Sequence, residues 1–360
     1  MPPTYPYSTK IRLTHMRVTG IGILSLMVFG LGSCSRNRPD EVQHAIYYWK
    51  SADYMSDTEA AYVDSLQITK LYMKFFEVNY SAELSNYPES KMDWWRADVP
   101  DNIQEVVPTV YLRNVVFLKS TKEELDNLAD NVYFLINKFA DDKFRGRITV
   151  NEMQMDCDWT PTSKDNYFYF LEKLKAISGK HISCTLRLYP YKYRETMGIP
   201  PVDKVTLMCY NLLNPFENPN KVSILDTEEL EAYLRATKQY PIHIDVALPV
   251  YSWAQVYHNE KFSEVMYPDT TQFKNFWNRD KPLWYNITQD TIINNVYLRE
   301  GDKIKYEEIS EETLQRAITI LKKYIDFDDQ TTVALYHLDE TQLKHYSYED
   351  LSSFYSRFSE

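Results

Sequence analysis

The stretch MQMDCDWT, Met153 to Thr160, decides how the fold of this chain is interpreted. Its apolar and polar residues alternate as they do on a β-strand, where successive side chains point to opposite faces. Asp156 and Asp158 are therefore expected on one face. Two neighbouring carboxylates raise each other's proton affinity, a cost that a fold rarely accepts without a use. The stretch thus predicts a strand that ends in a functional site.

Strand-like runs alternate with helical patterns on both sides of this stretch. Helices are predicted at Ser56–Leu66, Lys122–Phe139, Ser163–Ile177, Asp226–Thr237, Ser310–Ile325 and Tyr348–Phe358. The predicted strands are His44–Trp49, Thr69–Val78, Gln104–Leu112, Thr149–Trp159, His181–Tyr189, Lys204–Tyr210, Ile242–Tyr251 and Thr332–Leu338. Eight strands, most of them separated by helices, predict an α/β fold, the (β/α)8 TIM barrel, over residues 44–360.

One segment departs from the alternation. Residues 253–309 contain few helical signals, and we expect them to form a small β-rich insertion between strands 7 and 8. Within it, the sequence REGD at 299–302 predicts a hairpin turn between two strand-like runs, Ile292–Leu298 and Lys303–Ile309.

The first 33 residues have the composition of an export signal. They contain three basic residues and no acid, followed by the apolar run Val18–Leu31. The sequence LGSC at 31–34 resembles the lipobox of bacterial lipoproteins, which implies a lipid, such as palmitate, on Cys34. The alternative is a plain secretory signal with a chance cysteine. Either Met1 or Met16 serves as the start, because a complete signal follows both.

The lipobox resemblance implies a location. Residues 34–43 are expected to form a tether, and the lipid to anchor the protein in the cell envelope. We expect attachment to the outer membrane on its periplasmic face rather than display on the cell surface, because no acidic run follows Cys34.

Charge and motif content exclude several functions. The formal net charge is −11, and about −14 without residues 1–33, which argues against nucleic-acid binding by bulk charge. Cys157, Cys184 and Cys209 lack the spacing of a disulfide framework or a metal site. No phosphate-binding glycine loop, HExxH or GxSxG motif occurs, so no cofactor and no metal is predicted. Thirty tyrosines suit a glycan-binding surface.

The carboxyl ends of barrel strands carry the site in enzymes of this fold. In this sequence those ends are rich in aromatic and acidic residues, which are suited to stacking on sugar rings and binding their hydroxyls. The residues placed there are Trp49, Lys50, Lys74, Glu77, Asp156, Asp158, Trp159, Arg187, Tyr189, Tyr210, Asn211, Tyr251, Trp253, His337, Asp339 and Glu340.

The fourth strand resembles that of family 18 glycoside hydrolases, the chitinase family. The family's pattern DxxDxDxE falls here on Met153, Asp156, Asp158 and Thr160. The final Glu of the pattern is the family's acid, and the Asp before it orients the acetamido group of the substrate. The resemblance therefore implies a degenerate motif that keeps the two inner aspartates and has threonine in place of the acid.

Two later strands extend the resemblance. The sixth, VTLMCYN, is similar to the family's M-x-Y-D segment, and the seventh, VALPVYSW, is similar to G-x-P-x-Y-G-R without its glycine and arginine. The resemblance implies catalytic candidates Asp156, Asp158 and Tyr210. The substrate-binding candidates that it implies are Asp156, Asp158, Tyr210, Asn211, Tyr251, Trp253 and Trp49.

Three functions stay open at this point. The favoured one is an envelope lipoprotein that binds glycan, N-acetylated as the family resemblance implies, with lost or weak hydrolase activity, because threonine does not titrate near neutral pH. The second is an active glycoside hydrolase with a relocated acid, for which Glu77, Asp339 and Glu340 are candidates. The third is a structural or assembly lipoprotein that uses the insertion as a protein-binding surface. Separately, the alternative to a pocket role for Asp156 and Asp158 is that they form structural ion pairs with Arg187 or Lys74 across the barrel.

Overall fold

A computed structural model describes residues 39–50, 54–93, 99–235, 239–273 and 275–360. Cys34 and the predicted signal segment lie outside these ranges, so the lipid anchor stays a prediction. Within the described ranges, no helix combines the length and the apolar composition needed to cross a membrane.

Strands and helices alternate along most of the barrel, and the described residues of the insertion form strands and a short 3-10 helix, Thr270–Phe273. The strands are β1 (Gln43–Tyr48), β2 (Lys70–Ser81), β3 (Ser85–Glu89), β4 (Glu105–Leu112), β5 (Glu152–Asp156), β6 (His181–Arg187), β7 (Lys204–Met208), β8 (His243–Pro249), β9 (Trp253–His258), β10 (Lys261–Met266), β11 (Trp277–Lys281), β12 (Trp284–Ile287), β13 (Thr291–Ile293), β14 (Val296–Leu298), β15 (Lys303–Glu307) and β16 (Thr332–Tyr336). The helices are α1 (Asp57–Ser65), α2 (Asn114–Lys119), α3 (Lys122–Phe144), α4 (Lys164–Ser178), α5 (Leu188–Lys192), α6 (Arg194–Met197), α7 (Thr227–Arg235), α8 (Glu311–Tyr324), α9 (Glu340–Leu343) and α10 (Tyr348–Ser356).

Eight of these strands close into a parallel barrel. Their order is β1-β16-β8-β7-β6-β5-β4-β2, and β2 pairs back onto β1. All eight of these pairings are parallel. β3 pairs antiparallel with the carboxyl-terminal part of β2, residues 77–81. The predicted (β/α)8 barrel is confirmed, and so is the β-rich insertion between its seventh and eighth strands, β8 and β16.

Local sequence signals fix the ends of the helices on either side of β5. Thr121 caps α3 in a reciprocal arrangement with Glu124, and the two satisfy each other's backbone N–H groups. Gly179 ends α4 in the left-handed conformation, with φ of 60°, which glycine adopts without strain. These signals therefore set where α3 begins and where α4 ends.

The insertion is a five-stranded antiparallel sheet in the order β10-β9-β15-β12-β11, with a separate β13–β14 hairpin. A turn forms at residues 299–302, with the Asp302 N–H bonded to the Arg299 carbonyl oxygen at 3.0 Å, but the prediction that it joins a hairpin is wrong. β14 pairs with β13 across Asn294 and Asn295, whose positive φ angles suit a tight turn, while β15 pairs with β9 and β12. The turn at Asn294 and Asn295 brings β13 directly beside β14, so β14 pairs with β13 and not with β15.

Glu307 fastens the insertion to the barrel. This buried carboxylate accepts hydrogen bonds from the Ser223 backbone N–H at 2.6 Å and from the Ser223 hydroxyl, in the loop between β7 and α7. Lys305 Nζ lies 2.7 Å from it and is equally buried. A buried charge needs such complete pairing, so these contacts set the position of the insertion sheet over the barrel mouth.

A buried network of charges closes the amino-terminal end of the barrel. Glu152 on β5 is paired with Lys70 Nζ at 2.7 Å and with Lys204 Nζ at 3.0 Å, and Lys204 also contacts Asp245 at 2.9 Å. Burial favours the neutral carboxyls, but Lys204 and Lys70 hold the pKa of Glu152 below its usual value. His243 and Lys204 do the same for Asp245. The network joins β2, β5, β7 and β8 across the barrel.

The middle of the barrel is polar and aromatic rather than aliphatic. Tyr47 donates to Gln154 Oε1 at 2.8 Å, and Gln154 Nε2 donates to Thr206 at 3.0 Å. Tyr72 stacks on Tyr47 with ring centroids 4.8 Å apart. These side chains fill the barrel below the mouth, so it is a packed core and not a pore.

Replacing Lys204 with methionine removes a cation shared by two buried carboxylates. We expect the free energy of unfolding at pH 7 to fall by about 3–5 kcal/mol, measured by urea denaturation, because Glu152 and Asp245 lose their common partner. Lys303→Met is the control: it breaks a 2.7 Å pair with Glu260, whose side chain is 79% exposed, and its cost should stay below about 1 kcal/mol. Equal costs for the two variants would contradict this role of the network.

Candidate functional site

The site begins where β5 ends, at Asp156. Its side chain is buried, and Oδ1 accepts a 2.6 Å hydrogen bond from the Thr185 hydroxyl on the neighbouring strand β6. Burial, followed by the negative charge of Asp158, raises the pKa of Asp156 to about 6. Asp156 is therefore a carboxyl that changes charge close to neutral pH.

Asp158 lies just beyond the strand and is held by Arg187. The guanidinium binds it with both arms, Nε to Oδ1 at 2.7 Å and Nη2 to Oδ2 at 3.1 Å. Thr185 and Arg187 are two residues apart on β6, so the two aspartates face the same side, as the sequence alternation predicts. Lys74 instead contacts Glu77 at 2.5 Å. Of the predicted ion-pair partners, Arg187 is the one that engages this site.

Thr160 faces the start of α4. Its hydroxyl lies 2.9 Å from that of Thr162 and 3.2 Å from that of Ser163. Trp159, the residue before it, donates to the Met197 backbone oxygen at 3.0 Å and packs on Tyr167. This end of the stretch is therefore occupied by local packing, and it provides no acid.

Among the described residues, two cavities are found at the carboxyl ends of the barrel strands. The first has a volume of about 420 Å³ and lies beside the Asp158–Arg187 pair. Its lining is mainly apolar and aromatic. The lining residues are Cys157, Asp158, Trp159, Arg187, Leu188, Tyr189, Pro190, Met197, Tyr210, Asn211, Leu212 and Tyr233.

The second cavity, of about 350 Å³, lies on the other side of Asn211. Asn211 lines both cavities; it has a left-handed backbone, with φ of 54°, and its Oδ1 accepts a 2.7 Å hydrogen bond from the Tyr251 hydroxyl. The residues that line the second cavity are Trp49, Asn211, Tyr251, Trp253, Tyr267, Tyr336, His337, Asp339, Thr341 and Gln342.

A cluster of rings forms the floor between the cavities and the packed barrel. Tyr336 stacks on Tyr210 with centroids 4.9 Å apart, and it also contacts Tyr47 at 5.6 Å, Trp49 at 5.7 Å and Tyr251 at 5.8 Å. Aromatic side chains thus plug the barrel below the mouth, while the mouth itself keeps two open cavities. The walls are preorganised, because each ring is held by another ring.

The structure brings most of the predicted site residues together. Trp49, Tyr251 and Trp253 line the second cavity, Asp158 and Tyr210 line the first, and Asn211 is common to both. Asp156 lines neither, because it lies buried beneath them. Sequence reasoning missed Tyr233, Tyr267, Tyr336, Met197 and Gln342.

The relocated-acid candidates all have partners. Asp339 pairs with Lys50 at 3.1 Å, and although burial opposes its ionisation, Lys50 holds the pKa of Asp339 below its usual value. Glu77 is held by Lys74 and also by Arg113 at 3.2 Å. Glu340 accepts a 2.7 Å hydrogen bond from Ser56.

His337, which lines the second cavity, is not protonated at neutral pH. Burial lowers the pKa of His337 to about 4, so its imidazole is neutral at pH 7. Among the residues that the structure describes, no group of three or more His, Cys, Asp or Glu side chains is arranged to hold a metal ion.

Comparison with known proteins gives relatives in structure only. No protein-family model and no curated protein sequence matches the chain. The spore cortex-lytic enzyme SleL of Bacillus cereus is similar in structure, with a TM-score of 0.51 and 13% identity over 89% of this chain and 75% of SleL. This likeness shows the fold. The group IV chitinase of Ostrinia furnacalis has a TM-score of 0.49 and 11% identity, over 89% of this chain and 100% of the chitinase.

The titration of Asp156 predicts a pH-dependent stability. Because its pKa in the folded protein is about 6, against an ordinary 3.8, folding favours the protonated carboxyl. This stabilisation is complete below about pH 4 and is lost as the pH rises through 6, by up to about 3 kcal/mol. Asp156→Asn stays neutral and keeps the acceptor for Thr185, so its unfolding free energy relative to wild type should increase between pH 4 and 8 in urea titrations.

Asp165→Asn, at a side chain that is 90% exposed, is the matched control for this titration experiment. A difference between Asp156→Asn and wild type that stays constant from pH 4 to 8 would show that Asp156 does not change charge in this range.

Proposed function

We propose that the protein binds glycan in the aromatic mouth of its barrel and has lost hydrolase activity. The observation that carries this proposal is that the carboxylates lining the mouth are paired with cations. Asp158 and Asp339, the two carboxylates that line the cavities, are paired with Arg187 and Lys50, and position 160 is threonine. Cleavage of a glycosidic bond needs a proton donor at the leaving oxygen, and neither paired carboxylate is suited to that role.

The walls of the second cavity support a sugar as the ligand. Trp49, Tyr251, Trp253 and Tyr336 contribute aromatic faces, and polar groups of Asn211 and Gln342 lie among them. Flat rings beside a few fixed hydrogen-bonding groups match the alternating faces and hydroxyls of a pyranose. The two adjoining cavities together give room for more than one ring of a chain, with Asn211 at their boundary.

The predicted lipid on Cys34 would place this binding mouth at the cell envelope, and we propose the outer membrane with the barrel facing the periplasm. An N-acetylated glycan is the proposed ligand class, on the strength of the family resemblance at Asp156, Asp158 and Tyr210. The membrane contact would be made through the lipid and not through a bulk positive charge.

One observation favours an active hydrolase as the second candidate. Asp156 has a raised pKa of about 6, as a general acid would need, and it lies beneath the mouth. Its burial and its bond to Thr185 separate it from both cavities, which is why we rank this function lower.

Mass spectrometry of the products distinguishes the two candidates. Full-length protein in detergent would be incubated with peptidoglycan and with N-acetylated chito-oligosaccharides, beside the Asp156→Asn and Asp158→Asn variants. We expect no released fragments from any of the three proteins. Cleavage by wild type that Asp156→Asn loses would establish a hydrolase with a relocated acid, and the binding proposal would be wrong.

Binding itself is tested by removing one aromatic wall. Trp49→Ala should weaken the affinity for a chito-oligosaccharide by about tenfold or more in calorimetry, because a stacking surface is lost. Phe134→Ala, at a ring on α3 that is 64% exposed, is the control and should bind as wild type does. Absence of binding by the wild-type protein to every glycan tested would favour the structural or assembly role.

A further inference from the structure

Among the described residues, three that line the second cavity each have a buried polar side-chain atom with no hydrogen-bond partner. The atoms are Nε1 of Trp253, Nε2 of Gln342 and Nδ1 of His337. Buried polar groups in folded proteins are nearly always paired, so a group of three in one cavity calls for an explanation. A bound ligand that supplies the missing partners is such an explanation.

The orientation of the Gln342 amide is fixed by its neighbour. Gln342 is 2% exposed, and its Oε1 accepts hydrogen bonds from both the backbone N–H and the hydroxyl of Ser252, each at 2.8 Å. Since Oε1 faces two donors, the other end of the amide is the NH2 group, which only donates. The indole Nε1 of Trp253 is likewise a donor only. Both residues therefore present hydrogens.

The carboxylate and side-chain amide oxygens of the same cavity are already engaged. Asp339 accepts from the backbone N–H groups of Thr341 and Gln342 through Oδ1 and contacts Lys50 through Oδ2. Asn211 Oδ1 accepts from Tyr251. His337 is neutral, and its Nδ1 donates or accepts according to tautomer. The unpaired groups that remain on Trp253 and Gln342 are donors. A ligand that fits them therefore presents an oxygen that accepts hydrogen bonds.

From this we infer that Trp253 and Gln342 are specificity-determining residues that select a sugar substituent ending in an acyl or carboxylate oxygen. The inference rests on the proposed glycan-binding function and adds to it the group that is recognised and the side chains that recognise it. Asp158, the residue that the family resemblance assigns to acetamido recognition, is occupied by Arg187. Recognition of the substituent is thereby moved to the start of the insertion, at Trp253, and to α9, at Gln342.

Ligands that differ in one substituent test the inference. Calorimetry with full-length protein would compare the N-acetylated chitotetraose, its fully de-N-acetylated form, cellotetraose and tetragalacturonate. The acyl or carboxylate ligand should bind at least about tenfold more tightly than cellotetraose, and the ammonium form most weakly, because it brings donors to donors. Comparing N-acetylated chitotetraose with tetragalacturonate distinguishes recognition of an acyl oxygen from recognition of a carboxylate oxygen. Tighter binding of cellotetraose than of both would overturn the inference.

Two variants attribute the selectivity to the named side chains. Trp253→Phe keeps the ring and removes only the N–H, and Gln342→Met removes the amide. Each should weaken binding of the preferred tetrasaccharide by about tenfold and change cellotetraose binding by less than about twofold. Trp284→Phe is the matched control, because its N–H is bonded to the Pro219 carbonyl oxygen at 2.8 Å, outside the cavity.

The outcomes separate this inference from the proposal on which it rests. Unchanged selectivity in Trp253→Phe and Gln342→Met, with glycan binding intact in wild type, would overturn the inference alone. No binding of any tetrasaccharide by wild type would overturn both. The thermal midpoint provides a further reading: Trp253→Phe removes an unpaired N–H, so it should not lower the melting temperature, whereas a structural role for that N–H would lower it.

Discussion

The barrel depends on the charges that Lys204 and Lys70 share with Glu152 and Asp245. Eight parallel strands whose interior carries tyrosine, glutamine and threonine do not have the aliphatic layers that usually fill such a barrel. The network fixes four strands at one end, and the Tyr47–Gln154–Thr206 chain continues the polar pairing above it. Strand register is specified by these pairs, since a slip of one residue would turn a buried charge outward.

The strand registers fixed at the amino-terminal end of the barrel determine which charged side chains meet at its mouth. β5 and β6 are held side by side, so Asp156 meets Thr185 and Asp158 meets Arg187 one step further along. Asp156 has a hydroxyl partner and a raised pKa, whereas the charge of Asp158 is neutralised by the guanidinium of Arg187. Two carboxylates with the same sequence environment thus acquire different properties. This division supports a binding function, because the exposed acid is paired and the titratable one is covered.

The architecture could be predicted from the sequence because it depends on local patterns. The alternation of strands and helices predicted eight barrel strands whose observed ends differ by only a few residues, and Thr121 and Gly179 cap helix ends through purely local contacts. The insertion was visible from its lack of helical signals. Its internal pairing was not, because Asn294–Asn295 and REGD offered competing turns and the choice depended on β9 and β12, which lie elsewhere in the chain.

The sequence by itself determined the strand phase of Asp156 and Asp158, the threonine at the position of the family's acid and the set of aromatic residues at the strand ends. Only the tertiary structure decided which groups meet. Arg187 engages Asp158 while Lys74 does not, and Gln342, about 90 residues from Ser252, has its amide turned by that contact. Pairings of this kind depend on strand order and loop paths, and a linear pattern does not encode the distance between residues that folding brings together.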